Sequence, residues 1–96
     1  MNDKELISIQ KIIHHHNLDE QFIESIESFQ LIEFVVKDAD KYLYVEQLPR
    51  LEKIIRLYYD LEVNMQGIDV INNMLSKMNS MHKTIQQLQN KLKLYE

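Results

Sequence analysis

The chain has 96 residues, 45% hydrophobic and 27% charged, with 11 Lys and Arg against 15 Asp and Glu for a net charge of −4. That length fits one domain with a modest core, which a second copy would supplement, and the composition is globular rather than disordered. The acidic balance has the wrong sign for a small nucleic-acid binder and points to a protein partner, and the absence of Cys excludes a disulfide framework, a thiol nucleophile and a thiolate metal site.

The missing cysteine fits a reducing compartment, so a cytoplasmic location is expected. No basic-then-apolar leader opens the chain and no apolar run approaches ~20 residues, so neither secretion nor a membrane span is expected.

Residues 1–5 are polar and read as a frayed lead. Ser8 has the chemistry of a helix N-cap. Ile9, Ile12 and Ile13 follow at helical spacing, and Asn17 stops the helix. His14-His15-His16 suggests a metal site only at first sight. Neighbouring helix positions point about 100° apart, so three in a row cannot converge on one ion. They read instead as a helix C-terminus that favours partial positive charge, and no metal is expected.

The second helix opens with Leu18 before the cap, Asp19 at the cap and Ile23 a turn inside, the spacing of a hydrophobic staple. Phe22, Ile23, Ile26 and Phe29 make its buried face. Glu20, Glu24 and Glu27 share another face, at a spacing where like charges repel. That face reads either as ordinary solvated surface or as an acidic strip for a basic protein partner. The joint Asn17-Leu18-Asp19 is the size of a helix-turn-helix turn.

Phe34-Val35-Val36 and Tyr42-Leu43-Tyr44-Val45 are β-rich around the polar Lys37–Lys41, which predicts a small hairpin or wing. A third helix is expected from Glu46 to Leu61, with Pro49 in its first turn. Its core stripe would be Leu48, Leu51, Ile54, Ile55, Tyr58 and Leu61. Arg50, Lys53 and Arg56 share its outer side, but Glu46 and Glu52 precede Arg50 and Arg56 by four, the favourable order for intrahelical pairs. Asn64 can cap the next helix.

From Met65 to Glu96 the seam Ile71, Met74, Met78, Met81, Ile85, Leu88, Leu92 and Tyr95 advances in alternating steps of three and four, with Asn, Gln, Ser and Lys between. This is the a/d seam of a coiled coil about 45 Å long. The rest of the chain is too small to cover it, so a homodimer is expected, and the methionines suit a tolerant contact. The division is a head over 1–64 and a long dimerisation helix over 65–96, in one integrated domain.

A helix-turn-helix, a wing, a helix ending Arg56-Leu57-Tyr58-Tyr59-Asp60-Leu61, then Glu62-Val63-Asn64-Met65-Gln66-Gly67-Ile68 opening a long helix, resembles the MerR-like fold and, more narrowly, the CbpM family of chaperone modulators. Ser28-Phe29-Gln30-Leu31-Ile32-Glu33 is a second, weaker match. The resemblance covers roughly Leu6 to Met78. It implies a mostly α winged helix-turn-helix head with a long coiled-coil helix. It also implies a function: binding the J-domain of a DnaJ/CbpA-like co-chaperone and inhibiting it, without catalysis. Tyr42-Leu43 stand where family members tend to carry Trp-Arg, so the aromatic is kept and the Arg lost. Glu62 stands where Gly is common, which predicts a differently shaped turn.

On this reading Glu20, Glu24 and Glu27 are charge partners of a basic J-domain helix, and Tyr42 and Leu43 complete the contact surface. The alternative is a MerR-like DNA-binding transcriptional regulator, in which Arg50, Lys53, Arg56, Lys37 and Lys41 would carry the phosphates. A duplex reader needs cations on its second helix and wing, and Asp19–Ser28 holds no Lys or Arg. No nucleophile–base–orienter set and no Gly-rich phosphate loop is present, so no catalytic residue and no cofactor is expected.

Overall fold

The computed structural model describes residues 5–95. Its elements are β1 (Leu6–Ser8), α1 (Ile9–His16), α2 (Glu20–Ser28), β2 (Val35–Lys37), β3 (Asp40–Tyr44), α3 (Leu48–Ile55) and α4 (Met65–Lys93). Together they make a mostly α head with a small wing and a long final helix, as the periodicities predict. Of the polar lead, residues 1–4 lie outside the described residues, as does Glu96 at the other end.

Local capping chemistry sets the helix-turn-helix. Ser8 Oγ accepts the Gln10 N–H at 3.2 Å. Asn17 ends α1 in the left-handed conformation, φ 56°, which Asn tolerates better than most residues. Asp19 holds the N-cap position of α2, although its carboxylate makes no capping bond. Leu18 and Ile23 are both buried, as a staple requires.

The sheet has order β1-β3-β2, antiparallel throughout. The hairpin is tighter than the expected five-residue tip. Asp38 and Ala39 alone form the turn, at φ 52° and 67°, and two positive values give a turn of the type I′ family, whose twist suits a two-residue hairpin. Lys37, Asp40 and Lys41 therefore belong to the strands. β1 is an addition to the expected fold. Leu6, Ile7 and Ser8 pair with Tyr44, Leu43 and Tyr42, and the Glu5 carbonyl accepts the Val45 N–H at 2.9 Å. Glu5, expected to be frayed, is held by the sheet.

The core gathers Ile9 and Ile12 of α1, Phe22, Ile23 and Ile26 of α2, Leu43 of β3, Leu51 and Ile54 of α3, and Met65 and Ile68 of α4. The expected third helix is composite. A 3₁₀ turn over Val45–Gln47 leads into α3, and a π-helical turn over Arg56–Asp60 follows it. The Leu61 N–H closes that turn on the Arg56 carbonyl, five residues back, at 3.1 Å. The wider turn rotates the residues after it off the stripe. Leu57 packs on the core instead, while Tyr58 is 37% exposed and Leu61 67% exposed; neither belongs to the core stripe as expected. The pairs Glu46–Arg50 and Glu52–Arg56 do not form either. Arg50 Nη2 donates to Asn72 Oδ1 of α4 at 2.9 Å, and the one ion pair among the described residues is Lys41–Glu27.

The turn into α4 is set by Glu62 and Asn64. Glu62 itself takes the left-handed conformation, φ 54°, which a Gly would adopt without steric cost. Asn64 Oδ1 then caps α4 by accepting the Gly67 N–H at 2.8 Å. Only the first turn of α4 enters the core. The 29-residue helix is about 44 Å long and leaves the head, so the described chain measures 56 × 36 × 20 Å. No helix among the described residues is long and apolar enough to cross a membrane.

Candidate functional site

α2 presents its carboxylates where a helix-turn-helix protein would present its reading face. Glu20 and Glu24 are exposed, and Glu27 is half-buried. Glu20 lies in the first turn, where the helix dipole favours an anion. Glu27 Oε1 accepts a hydrogen bond from Lys41 Nζ at 2.6 Å, which ties the wing to α2. The sequence gives no sign of that pairing, because it depends on the hairpin register that puts Lys41 on the inner face of β3.

Strand alternation separates the other two expected contact residues. Lys41 and Leu43 share the inner face, and Tyr42 points to the opposite side of the sheet. Leu43 is 0% exposed. It therefore leaves the contact surface, because it fills the core against Ile7, its partner in register on β1. Tyr42 is half-buried between Ser8 and Val35 in register. The structure thus groups the three glutamates with the wing's inner face and leaves Tyr42 on a separate one.

Two clefts flank the Glu27–Lys41 pair. One, of about 190 Å³, lies between α1, α2 and the wing tip, with Ile9, Ile13 and Ile23 below and Glu20, Glu24 and Asp40 around it. The other, of about 370 Å³, lies past the end of α2, with Ile32 and Phe34 beside Glu27, Gln30 and Glu33. Asp40 and Glu33 carry no expectation from sequence. Asp40 is placed by the two-residue turn and Glu33 by the bend after α2.

The basic residues of α3 lie elsewhere. Arg50 and Lys53 line a third groove of about 980 Å³ against Leu75, Met78, Met81 and Ile85 of α4. No α2 residue lines it. The seam is otherwise open. Ile71 is half-buried, whereas Met74, Met78, Met81, Ile85, Leu88 and Leu92 are each 52–64% exposed. Tyr95, the last expected seam position, falls beyond the end of α4 and is 88% exposed.

An aromatic stack joins α2 to the π turn. Phe22 lies 4.9 Å from Tyr58 and 5.1 Å from Tyr59 between ring centroids. Tyr59 Oη accepts the Asp19 N–H at 3.3 Å, which satisfies one amide at the start of α2 where the Asp19 side chain does not. Among the described residues no three His, Asp or Glu side chains are grouped to hold a metal ion.

Comparison with protein-family models matches residues 7–90 to a family described as MerR HTH family regulatory protein. No curated protein and no solved structure matches the chain. The matched span includes both helices of the turn motif, the wing, α3 and nearly all of α4, and the chain belongs to the MerR HTH regulatory protein family.

Proposed function

We propose that this chain is a non-catalytic regulatory adaptor that acts on protein rather than DNA: it binds the J-domain of a DnaJ/CbpA-like co-chaperone and restrains it, as the resemblance to CbpM implies. The observation that carries this reading is the charge of α2. Its exposed face is anionic, and the one lysine that reaches it from the wing is neutralised by Glu27. Bringing such a face to a duplex adds repulsion where affinity depends on cations displacing counterions. The same face steers and orients a basic protein helix. Tyr42, on the other side of the sheet, is a second and separate anchor.

The DNA-binding alternative would rest on Arg50, Lys53, Arg56, Lys37 and Lys41. Of these, Arg50 is bonded to Asn72 and Lys41 to Glu27, and Arg50 and Lys53 face the α3–α4 groove. The adaptor is a homodimer on this account, because the α4 seam is apolar, periodic and uncovered by its own head. Lys77, Lys83, Lys91 and Lys93 all lie on α4, whereas 13 of the 15 acidic residues precede it. Antiparallel pairing brings each basic helix towards the other acidic head, and parallel pairing sets the lysines against their copies.

Calorimetric titration with an isolated J-domain and a gel shift with random duplex, both at about 50 mM salt, separate the two readings. Saturable J-domain binding without a shifted duplex supports the adaptor. A tight duplex complex with a steep salt slope overturns it.

A further inference from the structure

We propose that the groove between α3 and α4 binds a small amphipathic anion, a carboxylate or like head group on an aliphatic tail. This goes beyond the protein-partner reading and uses residues that reading leaves without a role.

The groove has a basic end and an apolar length. The Arg50 Nη2–Asn72 Oδ1 bond, 2.9 Å, ties α3 to α4. α3 runs on towards the turn that begins α4, so Lys53, one turn after Arg50, lies at the joint end of the groove. Glu46, the only acidic residue lining it among the described residues, lies one turn before Arg50, towards the open end. From Asn72 the α4 wall continues to Ile85, about 20 Å at 1.5 Å per residue. Leu75, Met78, Met81 and Ile85 give that wall its apolar surface, and each is 43–59% exposed.

These features select a ligand by charge and shape. The Asn72 bond uses one of the five guanidinium N–H groups and steadies the others, which suit a carboxylate. Lys53 adds a second cation beside it. The methionines adapt to a flexible tail. A neutral tail leaves both cations unanswered, and a cationic one is repelled. The volume, about 980 Å³, falls at the upper end of the range of small-ligand sites, roughly 300–1,000 Å³.

A second α4 is the wrong occupant. Over Met65–Lys93 it carries Lys77, Lys83, Lys91 and Lys93 against Asp69 alone, so laying it in the groove sets cations against Arg50 and Lys53. Its place is also elsewhere. At about 100° per residue, Leu75 and His82 stand on the side of α4 turned to α3, about 80° round the helix from the middle of the seam. Met78, Met81 and Ile85 stand on the edge that seam and groove share. A dimer formed on the seam therefore borders the groove rather than filling it.

The experiment titrates the whole ¹⁵N-labelled chain with decanoate below its micelle concentration, at about 50 mM salt. Decyltrimethylammonium and acetate serve as the tail with the opposite charge and the head group without a tail. The expected result is saturable decanoate binding that shifts the amides of Pro49–Lys53's neighbourhood and of Asn72–Ile85, roughly tenfold tighter than the alkyl cation, with acetate showing no saturation. Arg50→Gln, Lys53→Gln and Leu75→Ser, all at exposed positions, should each weaken decanoate roughly fivefold while circular dichroism stays unchanged. Glu46→Gln should bind as well as wild type or better. Equal binding of the two alkyl ions, acetate binding as tightly as decanoate, or affinity that survives both basic substitutions overturns the site. So does decanoate that shifts Leu88 and Leu92 instead and changes the sedimentation of the chain, because the tail then covers the seam.

Discussion

A Cβ added to Gly67 would lie 2.8 Å from Val63 Cγ1 and 3.2 Å from Asn64 Oδ1. The Val-Asn-x-x-Gly signature is thus a joint. Asn64 caps α4 by taking the Gly67 amide, and the missing side chain lets Val63 close over it. Val63 is β-branched and stiff, so it has little freedom to yield. Gly67→Ala should lower stability by about 1–2 kcal/mol despite the better helix propensity of Ala. In a Val63→Ala background the same change should become neutral or stabilising. A thermal-melt double-mutant cycle reads the coupling, and additive effects would refute the packing explanation.

Glu62 carries the other half of that joint, in the left-handed region. A non-glycine residue there costs roughly 1–2 kcal/mol. Glu62→Gly should therefore raise stability, by less than that because glycine also loosens the unfolded chain. Glu62→Val should lower it. Urea titration of the three proteins gives the order, and a destabilised Gly variant would mean that Glu62 makes a compensating contact.

Tyr59 links the π turn to the start of α2. Tyr59→Phe removes the acceptor of the Asp19 N–H and should cost about 0.5–1 kcal/mol while keeping the ring stack. Phe22→Ala takes away the buried centre of the stack and should cost about 3–5 kcal/mol. Near-ultraviolet circular dichroism tests the distinction: the aromatic signal should survive the first change and collapse in the second.

The seam makes a prediction about assembly. Ile85 is 52% exposed in the single chain, so Ile85→Asp should leave the head folded. In a dimer it would bury a charge on an apolar seam. Sedimentation should then show a monomer where wild type shows a dimer, and the melting temperature should lose its dependence on protein concentration. A variant that still sediments as a dimer would place the interface elsewhere.

Much of this architecture is legible in the sequence because caps are local. Ser8, Asn17, Asp19 and Asn64 mark helix boundaries by chemistry within a few residues of themselves, and the α4 seam declares itself by period. What the sequence hides is long-range or cumulative. β1 is a three-residue strand whose partner lies across the whole helix-turn-helix, and nothing in Leu-Ile-Ser distinguishes it from loop. The π turn shifts the register late in a helix whose pattern looks unbroken, which is why Tyr58 and Leu61 mislead. Leu43 misleads for a third reason. A residue placed at a contact by resemblance keeps no record of which sheet face it occupies, and alternation puts it inside. Glu20 and Glu24 could be read from helical spacing alone, but the engagement of Glu27 by Lys41 needed the hairpin.

The central claim is that the anions on α2 are there to meet a protein's cations. The most direct test is the Glu20→Lys, Glu24→Lys double variant, measured against an isolated J-domain across a salt series. Wild-type affinity should fall as salt rises, and the variant should bind at least tenfold more weakly at about 50 mM salt with a flatter salt dependence. Undiminished binding at low salt, with the wild-type salt dependence intact, would contradict the account.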